Sequence, residues 1–551
     1  VTVSAQAEDG WSARTILQGT AENGWRSDGF GSKVGALIAN RSGAFDIVVG
    51  AALERRGVFR DALSRRIAPD GTQGDLMDSR SFSLFAKAGV AVADGIRLEL
   101  MGQRFDLEGD GDLLPVNGDR LTGQPSTGIE GVVPGAPPKN LAESLALTLS
   151  ANDVAGGALR LRGFWNRTSD IYGGGVFADF QDPGIAPLGT LFDQSQNISR
   201  KWGVNANWER GFGPLNMVLG VDLLKDATVQ KLAATDRAWV PPTDYRSIAA
   251  FTQVNLRLFD GKLRLAGGAR WENVRIAIPD YQTLWFYGPQ LVNGGNPRFN
   301  RLLPNAGIVV EPGPGIRAYA SYTQGYTVPD VGRITRAIRT PGVDLDRFLD
   351  IAPILADNRE VGVEIKRGPI DASATYYWSN SDRGQLLVLV GDVFEVQRQR
   401  IEIQGLELNL STATPIKGLR IGLGYAHLDG RVDSNADGAV DADLDGANIG
   451  PDRLNLSADW TVGLVSLRLQ SRTHFARRFA GGDPRNDFGG YHLLDSALSV
   501  QTKWGSVSLS AQNLLNRQYI DYNSDTQRPT DNLRYFAGRG RSLTLSWLGR
   551  F

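Results

Sequence analysis

Apolar and polar side chains alternate along this chain with a period of two, over stretches longer than soluble strands usually run. In Val465-Ser466-Leu467-Arg468-Leu469-Gln470-Ser471-Arg472-Thr473-His474-Phe475 the apolar side chains fall on odd positions and the cations on even ones. That is the pattern of a strand with one oily and one wet face. The same parity sets Leu215, Met217, Leu219, Val221 and Leu223 against Asn216, Gly220 and Asp222, and Ile96, Leu98 and Leu100 against Arg97 and Glu99. It recurs with Leu454, Leu456, Ala458 and Trp460 against Asn455, Ser457 and Asp459. A soluble β-sandwich also alternates, but its strands cluster near ~5–6 residues, whereas a strand crossing a bilayer obliquely needs about 9–11. The segments here run to roughly 10–14 residues, which favours the membrane.

Connections of two kinds separate these segments. Short turns are expected at Arg41-Ser42-Gly43, Ala93-Asp94-Gly95, Gly211-Phe212-Gly213-Pro214, Asp260-Gly261, Pro312-Gly313-Pro314-Gly315, Arg367-Gly368-Pro369 and Lys503-Trp504-Gly505. Between them lie long Gly-, Pro- and Asp-rich stretches: Gly57–Asp78, Leu107–Pro138, Tyr172–Gln196, Ile276–Asn300 and Thr327–Asp357. Short turns alternating with long loops are the rhythm of an antiparallel up-and-down transmembrane β-barrel, with periplasmic turns at one rim and extracellular loops at the other. The count is about 22 strands, wide enough to need a plug. The expected fold is therefore an all-β barrel in the bacterial outer membrane.

Composition agrees once that architecture is considered. Mean hydropathy is only −0.22, because half of each strand faces an aqueous lumen while the ring satisfies its own backbone. No apolar run reaches ~18 residues, so no helix is expected to cross a membrane. The 59 basic and 60 acidic residues are spread evenly, which argues against a nucleic-acid partner. Cysteine is absent, excluding disulfides, thiolate metal sites and cysteine nucleophiles. The three histidines, His427, His474 and His492, lie on different strands, and no zinc-protease, P-loop or nucleophile-elbow motif stands in a suitable context. An enzyme is not expected. Trp165, Trp271, Tyr376, Trp378, Trp460 and Trp547 share the oily parity and are expected as interfacial girdles.

The closing run "RSLTLSWLGRF" places Leu543, Leu545, Trp547 and Phe551 on the lipid face of the last strand. A terminal aromatic such as Phe551 looks like the signal that outer-membrane proteins present to their assembly machinery. "SYTQGYTVPDVGR" (Ser321–Arg333), "NREVGVEIKRG" (Asn358–Gly368), "IQGLELNLS" (Ile403–Ser411), "LDSALSVQTKWGSVSLSAQNLLNRQYIDY" (Leu494–Tyr522) and "GRGRSLTLSWLGRF" together carry a family resemblance. They resemble the barrel of a TonB-dependent transporter, and within that family the ferric-siderophore receptors of the citrate-hydroxamate, aerobactin-like group. The likeness spans essentially the whole chain and is specific over its last ~230 residues, since loops vary more than scaffold.

The resemblance implies uptake of a ferric siderophore, no resident cofactor, a monomer, and contacts with outer-membrane lipid and lipopolysaccharide. It also implies a plug domain inside the barrel and the TonB energy transducer acting through that plug. In the family, wall glutamates meet plug arginines; Glu360 and Glu407 stand at the matching places, with Val361, Val363, Ile365, Leu406, Leu408 and Leu410 taking the oily parity. The plain alternative is a solvated wall glutamate. The first strand is expected near Ala13, with residues 1–12 an N-terminal extension and 13–551 the barrel. No plug is then expected within this chain, which reads as the barrel portion of a longer protein or a plug-deleted or split form.

Ligand capture is expected in the loops. Trp285, Phe286 and Tyr287 stand together at a loop tip, and Tyr172, Phe177 and Phe180 flank a triple glycine. Such aromatics can hold planar parts of a siderophore while Arg333, Arg336 and Arg339 attract its negative charge. Alternatively the aromatics pack on each other and the arginines meet lipopolysaccharide phosphates. Asp433, Asn435, Asp437, Gly438 and Asp441 occupy positions 1, 3, 5, 6 and 9 of a calcium-loop pattern, but Leu444 holds the twelfth, where the bidentate acid belongs. A calcium ion there and a merely solvated acidic loop both remain open. Receptors for cobalamin, haem or an oligosaccharide, or a passive porin-like barrel, are the alternatives to a siderophore receptor.

Overall fold

The computed structural model describes residues 9–70, 77–328, 330–348, 353–390, 393–479, 484–526 and 530–551. The alternating segments form twenty-two strands, each hydrogen-bonded antiparallel to its neighbours in sequence. They are β1 (Gly10–Ala21), β2 (Gly31–Ser42), β3 (Phe45–Arg56), β4 (Ser79–Ala93), β5 (Ile96–Gly109), β6 (Lys139–Val154) and β7 (Gly157–Gly175). Then follow β8 (Asp193–Phe212), β9 (Leu215–Leu232), β10 (Ala238–Leu258), β11 (Leu263–Ala277), β12 (Arg298–Gly313), β13 (Ile316–Thr327) and β14 (Ile354–Arg367). The circuit ends with β15 (Ile370–Val390), β16 (Val393–Ala413), β17 (Leu419–Val432), β18 (Arg453–Val462), β19 (Val465–His474), β20 (Tyr491–Thr502), β21 (Gly505–Gln512) and β22 (Ser542–Arg550).

The ring closes where β22 pairs β1, from Arg14↔Arg550 to Ala21↔Leu543. Beyond it, Phe551 exchanges two backbone hydrogen bonds of 2.9 Å with Ala13. This seam has eight paired positions, against eighteen between β8 and β9. Closure leaves no sheet edge to face lipid, which is the condition for β-structure in a bilayer. No described helix is long and apolar enough to cross a membrane.

All seven expected turns join adjacent strands at one rim, together with Ala155-Gly156, Gly463-Leu464 and residues 414–418. Ala155 and Gly156 have φ of 53° and 74°, the doubly left-handed turn whose twist matches an antiparallel hairpin. At the other rim the strands run on past the bilayer. Strands reach 21 residues in β10, β15 and β16 and shrink to eight in β21, so the expected 10–14 holds only for part of the ring. Tyr172, expected in a loop, lies within β7, and Asp193 to Gln196 lie within β8. Above the lipid both faces of a strand are wet, so alternation fades while the hydrogen-bonded ladder continues.

Parity sorts the faces as expected. Leu219, Val221, Leu223, Leu100, Val361, Val363, Leu410, Leu456 and Leu545 are exposed on the outer wall. Aromatics form two rings. Trp165 and Trp202 are cross-strand partners near the outer interface, and Trp271 and Tyr376 are exposed there too, with Tyr376 packed 5.6 Å from Trp378. Lower on the wall, the indole nitrogens of Trp208 and Trp460 reach down toward the turns and donate to the carbonyls of Val154 and Lys417 at 2.8 and 3.3 Å. An indole with an apolar body and one satisfied N–H suits such an interface.

Most of the buried core lies in the extracellular crown, where loops pack against the upper inner wall; a small cluster of Ala39 and Val48, with Leu37 and Phe85 against it, lies in the wall itself. One cluster joins Val274, Ile276, Ile278, Val292, Val331, Ile338 and Leu345. A second joins Leu386, Ile401, Val432, Leu444, Ile449, Phe479, Phe488 and Tyr522.

Candidate functional site in the crown and lumen

A third crown cluster gathers most of the loop residues singled out from sequence. Phe177 meets Phe180 edge-on at 5.3 Å, and Phe180 meets Trp239 at 5.0 Å. Leu232, Leu284 and Tyr287 complete the buried group, with Phe286 against it. Arg336 lies 4.1 Å above the Trp239 ring, and Arg339 lies 5.1 and 5.4 Å from the rings of Phe286 and Tyr287. The arginines are thus stacked on aromatic faces, a contact worth about 0.5–2 kcal/mol when partly desolvated. Burial pushes the Arg336 guanidinium below its ordinary range and the Asp179 carboxyl above its own, with the two charges partly offsetting each other.

The loop after β7 is held rigidly beneath these rings. Buried Gln181 donates to the carbonyls of Phe177 and Leu191 at 3.0 and 2.9 Å and accepts from the Gly189 amide. Arg237 donates to the Phe180 carbonyl at 2.7 Å. Asp193, with no exposure, accepts from the amides of Gln194 and Ala234 and from the Thr235 hydroxyl.

Tyr172, Trp285 and Arg333 stand apart from this cluster. Tyr172 accepts from Asn197 at 3.0 Å on the strand itself. Trp285 opens a single 3-10 turn and remains partly exposed, while Tyr287 two residues on is 5 % exposed. The triplet is therefore not a free loop tip; its second and third rings are packed. Arg333 sits on the short helix Val331–Arg336, where its amide and Nε both reach Asp330, at 3.0 and 3.2 Å. Its Nη1 is buried without a hydrogen-bond partner. Trp239 and Arg237 were not singled out from the sequence. A lone tryptophan ahead of Pro241-Pro242 carries no periodicity to mark it.

In the lumen, Glu360 accepts a 2.6 Å hydrogen bond from the Tyr319 hydroxyl, which also meets Thr375 at 3.0 Å. The Tyr319 ring occupies the space over Gly362, and the Tyr377 ring that over Gly405, where a Cβ would collide. Each glycine lets an aromatic lie flat on the inner wall. Asp46, Glu99, Asp222, Glu272 and Glu364 face the same lumen, and each has an arginine or lysine within ion-pair distance. Among the described residues, Glu360 and Glu407 have none.

The acidic loop after β17 spends its oxygens on itself. Asp433 accepts from the amides of Asp437 and Gly438 at 3.2 and 2.7 Å. Asp441 accepts from the amide and hydroxyl of Ser434 at 2.7 and 3.0 Å, which holds its carboxyl below the usual range. Asn435 and Asp437 bond each other. Leu444, the residue at the twelfth position, is buried in the crown core. Among the described residues no group of three or more His, Cys, Asp or Glu side chains is placed to hold a metal ion.

Asp78, just before β4, shares a hydrogen bond with Asp112. Burial first, then the nearby Asp112 and Asp110 charges, raise its carboxyl to about 7. Because the folded state holds this proton more tightly than the unfolded chain, the contact is strongest at low pH and is lost as pH rises through about 7. Amides of residues 110–116 should therefore exchange faster at pH 8 than at pH 5.5 after correction for intrinsic rates. Asp78→Asn should abolish that difference; a difference that survives would assign the effect elsewhere.

A closed ring of this circumference, greasy outside, wet inside and crowned by packed loops on one side, defines a large transmembrane barrel of the bacterial outer membrane. The family profile described as TonB dependent receptor-like, beta-barrel matches residues 70–514, and the chain belongs to that family. It is similar to the rhizobactin receptor of Rhizobium meliloti strain 1021, 22% identical over 424 residues, covering 69% of this chain and 56% of the relative. It is also similar to the ferric aerobactin receptor of Klebsiella pneumoniae, 24% identical over 381 residues, 63% of this chain and 50% of the relative. The chain thus spans about half the length of the curated relatives it matches. Among solved structures, the FrpB iron transporter from Neisseria meningitidis superposes with a TM-score of 0.70 at 16% identity, covering 99% of this chain and 82% of that one. That likeness shows the fold.

Proposed function

We propose that the protein imports a ferric siderophore across the outer membrane, with capture in the crown and release through the lumen driven by TonB acting on a plug domain. The observation that carries this reading is the match over 424 residues to a rhizobactin receptor, supported by the aerobactin receptors beside it. The crown offers suitable chemistry. The aromatic cluster presents Arg336 and Arg339, and the buried, unpartnered Nη1 of Arg333 suits an anionic oxygen of the ligand. Loop arginines and aromatics are thus read as the ligand face, Phe551 as the assembly signal, and the barrel as acting without catalysis.

Iron-limited uptake tests the cargo. A strain relying on this protein should take up iron presented by a citrate-hydroxamate siderophore and stop when the gene is deleted. Uptake of haem or cobalamin but no siderophore would overturn the reading.

Glu360 and Glu407 are proposed to meet cations of the plug. In the whole protein, Glu360→Gln with Glu407→Gln should change uptake by at least about tenfold, equivalent to ~1.4 kcal/mol at the plug–wall contact, while ligand affinity at the crown stays constant. Unchanged uptake would leave both as solvated wall residues.

A further inference from the structure

The lipid face carries a groove at the seam of the ring. It measures about 650 Å³ and is lined by Leu17, Gly19, Val34, Leu53, Leu545 and Trp547. Register explains it. Trp547, Leu17, Val34 and Leu53 are successive cross-strand partners on β22, β1, β2 and β3. In the next outward-facing row toward the crown the partners are Leu545, Gly19, Ser32, Arg55 and Arg80. Two of these, Gly19 and Ser32, have almost no side chain, so a notch opens between Leu545 and Arg55. A Cβ added at Gly19 would meet nothing within 4 Å.

The notch ends at two cations. Arg55 and Arg80 lie directly opposite each other on adjacent strands, with side chains 63% and 73% exposed. Like charges in that position repel. Asp110 lies 3.0 Å from Arg80 and 4.0 Å from Arg55. Glu108, opposite Arg80 on β5, is taken up by Lys139 at 3.1 Å, so the two guanidiniums share one carboxylate and an excess positive charge remains. Counting from Phe45 at the turn rim to Arg55, the wall rises roughly 25 Å at the usual tilt, the height of the apolar band. The arginine pair therefore stands at the level of outer-leaflet headgroups.

We propose that this groove is a binding site for one phosphate-bearing acyl lipid of the outer leaflet, its chain lying over Gly19 and its phosphate bridging Arg55 and Arg80. Charge and shape select the occupant together. An apolar channel running into a guanidinium pair matches a molecule with a hydrocarbon tail and a doubly accepting anionic head, and inorganic phosphate would use only half of it.

Native mass spectrometry of the detergent-solubilised protein with added lipid A tests the site. The wild type should retain one high-affinity lipid. Arg55→Gln with Arg80→Gln, and separately Gly19→Leu, should each weaken that adduct about tenfold, whereas Arg200→Gln with Arg298→Gln, elsewhere on the outer wall, should not. Heat-shifted gel mobility confirms that each variant is a closed barrel, and Gly19→Ala, which adds one methyl to open space, serves if leucine prevents folding. Equal retention in all variants would overturn the proposal. So would displacement of the lipid by millimolar inorganic phosphate, or loss in the arginine variant with none in either Gly19 variant, because the groove would then contribute nothing.

Discussion

Leu219→Arg should cost about 2–4 kcal/mol of barrel stability in lipid, the penalty of a guanidinium at mid-bilayer depth. Leu219 is exposed on the outer wall, four residues above the turn end of β9. Its neighbour Val218 stands at the same height with opposite parity, so Val218→Arg faces hydrated space and should stay within about 1 kcal/mol. Equilibrium unfolding in denaturant from phospholipid vesicles measures both. The contrast is the point, because the two positions share strand, height and neighbouring strands and differ in face. Equal costs would mean that parity had been assigned to the wrong sides, and every inward residue discussed above would move with it.

Phe180→Ala should loosen the crown without touching the wall. Removing a buried aromatic costs about 3–5 kcal/mol, and Phe180 is 3% exposed between Phe177 and Trp239. That exceeds what a loop's own hydrogen bonds can offset. Amide protection over 176–192 and 283–288 should fall by two or more orders of magnitude, about 3 kcal/mol in local opening, while strands β8 and β9 keep theirs below the bilayer surface. On the proposed function, siderophore affinity should fall with it, because Arg336 and Arg339 stack on rings of this cluster. Loss of protection throughout the wall would show that crown and barrel unfold as one unit.

These two experiments separate what the chain states locally from what it states only on folding. Outward and inward faces were legible because lipid and water impose opposite demands on neighbouring residues, as at Leu219, Gly220 and Val221. The seven turns were legible because glycine, aspartate and proline mark them. Strand ends were not: Tyr172 sits where both faces are wet, so nothing in its neighbourhood distinguishes ladder from loop. The crown cluster was half legible. Composition picked out Phe177, Phe180, Phe286, Tyr287, Arg336 and Arg339, but Trp239 joins them across long sequence separations that no periodicity encodes. The acidic loop resembles a calcium site because aspartate, asparagine and glycine also make tight self-bonded turns. There Asp433 and Asp441 hold backbone amides.

The seam pairs eight positions, and the two ladders that lead into it are as short: β20–β21 pairs seven and β21–β22 eight, against nineteen between β15 and β16. Hydrogen bonds across a ladder share load. Under a mechanical pull directed down the channel, this run of three consecutive short ladders, rather than the long ones across the ring, is where the wall should yield. Any pull exerted through the channel must stay below the strength of those short ladders, which sets a ceiling on the load the ring can bear.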